Sequence, residues 1–195
     1  MNVLGLVQLC QSAPPGSYSL EQLAATPPHT AAELTELVRD FLQRSIAPTA
    51  GLASGMAFRA ARQGDYERLP HVCETLDHSV LTDPLRDSSL QMGRRLWGLS
   101  RAWEWAAGVH EQLDDFAQRA PLHHAVAFGA LVSETTNSET RAIATYLFST
   151  ARGIVLTAIR AIPLDEAAGQ RVLSDIQDSI AHIAAQYVAR DFNHG

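Results

Sequence analysis

The sequence predicts an all-α fold, a compact single-domain bundle of about eight to ten helices over residues 1–195, from three observations. A capping box, Thr30-Ala31-Ala32-Glu33, opens a run in which Leu34, Leu37, Val38, Phe41, Leu42 and Ile46 recur at steps of three and four. A second seam, Leu173, Ile176, Ile180, Ile183 and Tyr187, repeats at 3, 4, 3, 4 spacing and must pack on another helix. No segment between turn signals alternates apolar and polar residues or concentrates β-branched ones, so no sheet is predicted.

The elements follow in order. After the capping-box helix comes Pro48, then a stretch rich in small residues from Ala50 to Ala61 that forms a second helix able to approach a neighbour closely, with Gly64 as its stop. The next helix starts near Pro70, and Thr82 offers an N-cap for another with Pro84 in its first turn. That helix carries Leu85, Leu90, Met92, Leu96 and Leu99 and closes around Trp103 and Trp105, and Ala106 to Ala120 reads as a polar connection with a short helix. Leu122 to about Ser133 is helical. Asn137 or Ser138 caps a long helix from Glu139 to Ala161, broken by Pro163, and Asp165 caps the last helix. The Pro/Gly/Ser-rich stretch from Ser12 to Ser19 is a loop.

Composition excludes several chemistries. All 15 basic residues are Arg, so mechanisms that need an amine, such as a Walker lysine or a Schiff base, are closed to this chain. A net charge of −6 without a basic stripe argues against nucleic-acid binding. Apolar runs stop short of the roughly 18 residues that cross a bilayer, and Met1 to Leu9 lacks a basic n-region and an A-x-A site, so neither a membrane nor a signal peptide is expected. Cys10 and Cys73 form no C-x-x-C pair, which fits a reducing cytoplasm.

Candidate catalytic patterns are sparse. His123 and His124 are adjacent and diverge by about 100° on a helix, and no H-E-x-x-H or E-x-x-H pair occurs, so no metal cage is expected. G-x-S-x-G and G-x-G-x-x-G are both absent. Gly51, Gly55, Gly93, Gly98, Gly129 and Gly153 fall within predicted helices, where each costs about 1 kcal/mol relative to Ala and permits close backbone contact, within the chain or between copies of it.

Four segments, Ser12 to Ser19, Pro84 to Arg94, His123 to Gly129 and Tyr146 to Gln170, together resemble one family, the urease accessory protein F family. Pro84 to Arg94 is similar to its R-x-A-S-x-x-M-G-R helix, and His123-His124-Ala125-Val126-Ala127-Phe128-Gly129 to its H-x-x-V-A-x-G segment. Tyr146 through Arg160, Pro163 and Leu164 to Gly169-Gln170 resembles its Y-L…A-x-R-x-x-P-L-G-Q-x-x-G-Q stretch, and Ser12 to Ser19 resembles a shortened form of its P-x-G-G-F-S motif. The order and spacing of the four agree with the family. Asp165-Glu166-Ala167-Ala168 replaces G-Q-T-D, and the sequence stops at Gly195 without the family's basic, aromatic tail, which predicts weaker partner binding.

The resemblance implies a non-catalytic, cytoplasmic adaptor that forms a homodimer and binds the D/H accessory protein and the nickel-carrying GTPase G, delivering nickel to apo-urease. Nickel and GTP are then carried by those partners, and no cofactor is held stably by this chain. By the same resemblance the partner-binding residues are Gly16, Tyr18, Ser19, Arg86, Gly93, His123, Gly129, Arg160, Gly169 and Gln170. The rival reading, a helical small-ligand-binding protein or enzyme unrelated to urease, needs a pocket built from Trp97, Trp103 and Trp105.

Overall fold

Eight of the first twelve residues already set the pattern of the molecule: a short apolar helix laid on a longer, buried one. The computed structural model describes residues 1–12, 26–78 and 83–192, and among these every regular element is helical. Helix α1 (Val3–Cys10) is capped by Asn2, whose side chain accepts from the Gly5 amide at 3.0 Å. Helix α2 (Ala31–Phe41) begins at the capping box: Thr30 Oγ1 accepts from the Glu33 amide at 3.1 Å, and Glu33 reaches back to the His29 amide at 2.7 Å.

Pro48 does not break the chain there. Leu42–Gly51 runs on as a π-helix containing Pro48, and α3 (Leu52–Gln63) continues directly from it until Gly64, at φ 73°, ends the run. The wider helix turns Leu42, Ile46, Ala47 and Ala50 inward together, and that burial is what holds the unusual register. Helix α4 (Arg68–His78) carries Pro70 in its first turn as predicted, and α5 (Asp83–Ser100) follows; Thr82, its expected cap, lies outside the described residues.

Two expectations are corrected. Helix α5 ends at Ser100, before Trp103 and Trp105; a single 3-10 turn (Glu104–Ala106) then leads into α6 (Ala107–Arg119), longer than the short helix expected within a polar connection, because Val109 and Leu113 sit one turn apart and are buried. The terminal seam is likewise two helices, α9 (Glu166–Asp175) and α10 (Gln177–Tyr187), kinked at Ile176. The seam still works, since Leu173, Ile176, Ile180 and Ile183 all remain buried.

Helices α7 (His124–Val132) and α8 (Glu139–Ala161) form the centre. Every described residue of α7 is buried, while α8, capped by Ser138, packs against α1, α3, α9, α10 and the π-helix. Helix α8 is long and apolar enough to cross a membrane, but most of it is enclosed by these neighbours. One hydrophobic cluster takes residues from all ten α-helices found among the described residues, from Leu9 to Ala184.

Candidate functional site

The family-like residues divide into an inner framework and an outer groove. The framework starts from three sequence-distant elements: Asp77 in the last turn of α4, Arg86 and Ser89 in the first half of α5, and His123, which precedes α7. Arg86 grips Asp77 as a fork, Nε and Nη2 each donating to a different carboxylate oxygen at 2.8 Å. His123 Nε2 lies 2.8 Å from Asp77 Oδ1, and its Nδ1 lies 3.0 Å from Ser89 Oγ.

The fork and the His123 contact hold the Asp77 carboxyl below the usual carboxylate range, Arg86 contributing most. Burial lowers the His123 pKa below its ordinary value in spite of Asp77, so the ring is neutral near pH 7. A carboxylate only accepts, so the neutral ring places its proton on Nε2 toward Asp77, and Nδ1 accepts from the Ser89 hydroxyl.

This is the order of a Ser-His-Asp relay, but three features disable it as one. His123 is 0% exposed, the Arg86 fork already neutralises the charge that would stabilise an imidazolium, and the lowered His123 pKa weakens it as a base. Beside it, burial pushes the Cys73 thiol up to about 12, which removes a thiolate nucleophile. The cluster instead ties α4, α5 and the entry to α7 into one body.

Two glycines make that junction possible. A Cβ on Gly93 would collide with the Leu122 carbonyl oxygen and stand 2.9 Å from both His123 C and His124 N, so the strand of backbone entering α7 lies directly on α5. A Cβ on Gly129 would collide with the Ser54 carbonyl and stand 2.8 Å from Ala57 Cβ, which seats α7 on α3. Gly93, His123 and Gly129 are buried, so they act on the surface only through the helices they position. Gly51 and Gly55 are likewise filled by neighbours within the chain, so the close approach they permit is intramolecular, whereas Gly98 stands open on the exposed side of α5.

The outer groove lies between the C-terminal half of α8 and α9. Val155, Leu156, Ile159, Glu166, Gly169, Gln170 and Leu173 line about 220 Å³. Gly169 forms the floor, where a Cβ would stand 3.2 Å from Ile159 Cγ2, and Asp165 fixes the start of α9 by accepting from the Ala168 amide at 2.6 Å. Gln170 and Arg160 are exposed, Arg160 one turn beyond Leu156 on α8. Gly16, Tyr18 and Ser19 lie outside the described residues.

Sequence reasoning missed Asp77, which no motif marks, and the outer face of α1, and it passed over Ser89, although Ser89 stands at the serine of the R-x-A-S-x-x-M-G-R-like segment. Met1, Val3, Leu4 and Val7 are 79%, 57%, 66% and 44% exposed, and no charged side chain occurs from Met1 to Ser12. The tryptophans do not build one pocket. Trp97 is buried against His110 and donates to Asp114 at 2.9 Å, while Trp105 stacks on Trp103 and donates to Gln8 of α1 at 2.7 Å. Among the described residues no three His, Cys, Asp or Glu side chains converge where a metal ion could sit.

The sequence model of the UreF family matches residues 29–177, a span that holds both the framework and the groove. A urease accessory protein UreF from Geobacillus kaustophilus is 31% identical over 146 residues, which are 74% of this chain and 63% of that relative, so the chain spans somewhat under two thirds of its length. A urease accessory protein UreF from Paenarthrobacter aurescens is 32% identical over 172 residues, 80% of this chain and 74% of the relative. Another, from Kocuria rhizophila, is 26% identical over 192 residues, 94% of this chain and 80% of the relative.

Proposed function

Because the chain belongs to the UreF family, whose members named above are urease accessory proteins, we propose that it serves urease maturation as a non-catalytic adaptor in the cytoplasm. It joins the D/H accessory protein to the nickel-carrying GTPase G, and the assembly delivers nickel to apo-urease. Nickel and GTP are held by those partners; this chain supplies surfaces.

The observation that carries the reading is how the family-like residues are spent. Arg86, His123, Gly93 and Gly129 rigidify a core, Gly169 and Gln170 line an apolar groove with polar edges, and Arg160 is exposed on the helix that forms one of its walls. A rigid body with a side-chain-sized groove suits recognition of a partner's apolar anchor. The outer face of α1 suits self-association: an isologous contact sets the same patch against itself, and Val3, Leu4 and Val7 offer apolar surface with no charged side chain on α1 to repel its own copy.

Co-purification tests the proposal. Tagged chain should retain the D/H protein and the GTPase from a mixture of purified proteins, and Gln170→Arg at the exposed edge of the groove should release a partner without lowering the melting temperature. Retention of neither protein by the unaltered chain would overturn it.

A further inference from the structure

Arg59 on α3 holds three groups at once. Nη1 donates to Glu139 Oε1 in the first turn of α8, and Nη2 donates to Asp191 Oδ1 and to the Arg190 carbonyl oxygen at 2.6 Å. Arg68, at the start of α4, takes the other Asp191 oxygen at 3.2 Å. Beyond α10 the chain therefore folds back as a strap over the junction of α3, α4 and α8. Ala189 turns it with φ 57°, a left-handed conformation that a β-carbon disfavours, and its amide donates to Glu139 Oε1 at 3.0 Å. Phe192 then packs partly buried against the core.

The layers of this contact differ. Arg59 and Glu139 are 18% and 12% exposed, an inner pair set by α3 and α8 alone, whereas Asp191 and Arg68 are 53% and 40% exposed. Glu139 thus keeps the Arg59 fork aimed whether or not the strap is seated, and the outer carboxylate is held by ion pairs in contact with water, which are individually weak. What remains beneath the strap is the Arg59–Glu139 pair and the Arg68 guanidinium, a net positive site beside the place where an aromatic ring packs.

We infer that the Arg59 and Arg68 site is a docking site for a partner-protein segment in which a carboxylate is followed by an aromatic side chain, and that Asp191-Phe192 occupies it in cis. The chain's own strap shows the chemistry the site accepts, and the two arginines supply the charge complementarity. The occupant in trans is a different protein rather than a second copy. Asp191 stands four residues past Tyr187, a reach of about 13 Å, too short to leave its own body and enter another while α10 stays folded.

The probe is a fluorescein-labelled peptide of residues 187–192, Tyr-Val-Ala-Arg-Asp-Phe with an amidated C-terminus, titrated by anisotropy against the full chain. In the wild type the strap competes, so Asp191→Ala/Phe192→Ala should bind the peptide with a Kd lower by about tenfold or more. Asp191→Asn alone, which preserves the strap's packing, should give a smaller gain in the same direction. Replacing the peptide's Asp by Asn, adding Arg68→Ala to the double variant, or raising salt should each weaken binding. The inference is overturned if neither strap variant binds better than wild type, or if binding ignores both the peptide carboxylate and Arg68.

Discussion

Alanine at Gly93 and at Gly98 should move stability in opposite directions, although both lie on α5 and differ by little more than one turn. In a helix interior Gly→Ala alone gains about 1 kcal/mol, from propensity and a less disordered unfolded chain. At Gly98 a Cβ meets nothing within 4 Å, so that gain should appear undiminished. At Gly93 the Cβ meets the backbone of Leu122, His123 and His124, which has no rotamer to yield. The entry to α7 must then shift, and it carries the Nε2 and Nδ1 contacts of His123 with it. Overpacking of this kind costs about 1–3 kcal/mol, and loss of good geometry in the His123 bonds adds about 1 kcal/mol. The net expectation for Gly93→Ala is a loss of about 1–3 kcal/mol against a gain of about 1 kcal/mol for Gly98→Ala. Urea titrations followed by circular dichroism at a fixed protein concentration measure both. If Gly93→Ala equals or exceeds the wild type in stability, the close approach of α5 and α7 is not what holds His123 in place.

The remaining predictions concern charge and surface. Burial takes His124 down to about 4, with its Nδ1 unpartnered, so the folded state binds its proton later than the unfolded one; stability is complete above about pH 6.5, falls as pH drops toward 4, and loses up to about 3 kcal/mol through this group. The lowered His123 acts with the same sign, and His124→Phe should flatten the dependence between those limits; an unchanged slope in pH-resolved melts would refute it. Asp77→Ala strips Arg86 and His123 of their common acceptor and should cost about 1–3 kcal/mol by urea titration, whereas no measurable loss would show that the framework is dispensable. Leu4→Glu on the outer face of α1 should shift the chain toward monomer in light scattering at tens of micromolar, with the melting temperature kept within a few degrees; a wild type already monomeric there removes the role given to α1.

Helix positions were legible where local chemistry decides them. Thr30, Ser138 and Asp165 each cap a helix as their side chains predict, and Gly64 ends one at positive φ. The π-helix through Pro48 was not legible, because a run of small and apolar residues fits either register and tertiary burial chooses between them. Helix α6 was read only as a short helix within a polar connection for a related reason: only Val109, His110 and Leu113 of its residues are buried, too narrow a stripe to show its full length in a polar sequence. At the site, Gly169 and Gln170 do share a groove, while Gly93, His123 and Gly129 turned inward, since glycines tolerate the closest backbone approaches and those occur in the core. Asp77 and Asp191 carry no sequence signal at all; each matters through an arginine that only folding brings near.

The most direct test of an adaptor role is a stoichiometry measurement: size-exclusion chromatography with light scattering on this chain mixed with purified D/H protein and GTPase G, each alone and together. The account predicts a discrete complex containing this chain with the D/H protein, one that then takes up the GTPase, and loss of a partner on Gln170→Arg at an unchanged melting temperature. Elution of all three as separate species at tens of micromolar would contradict it.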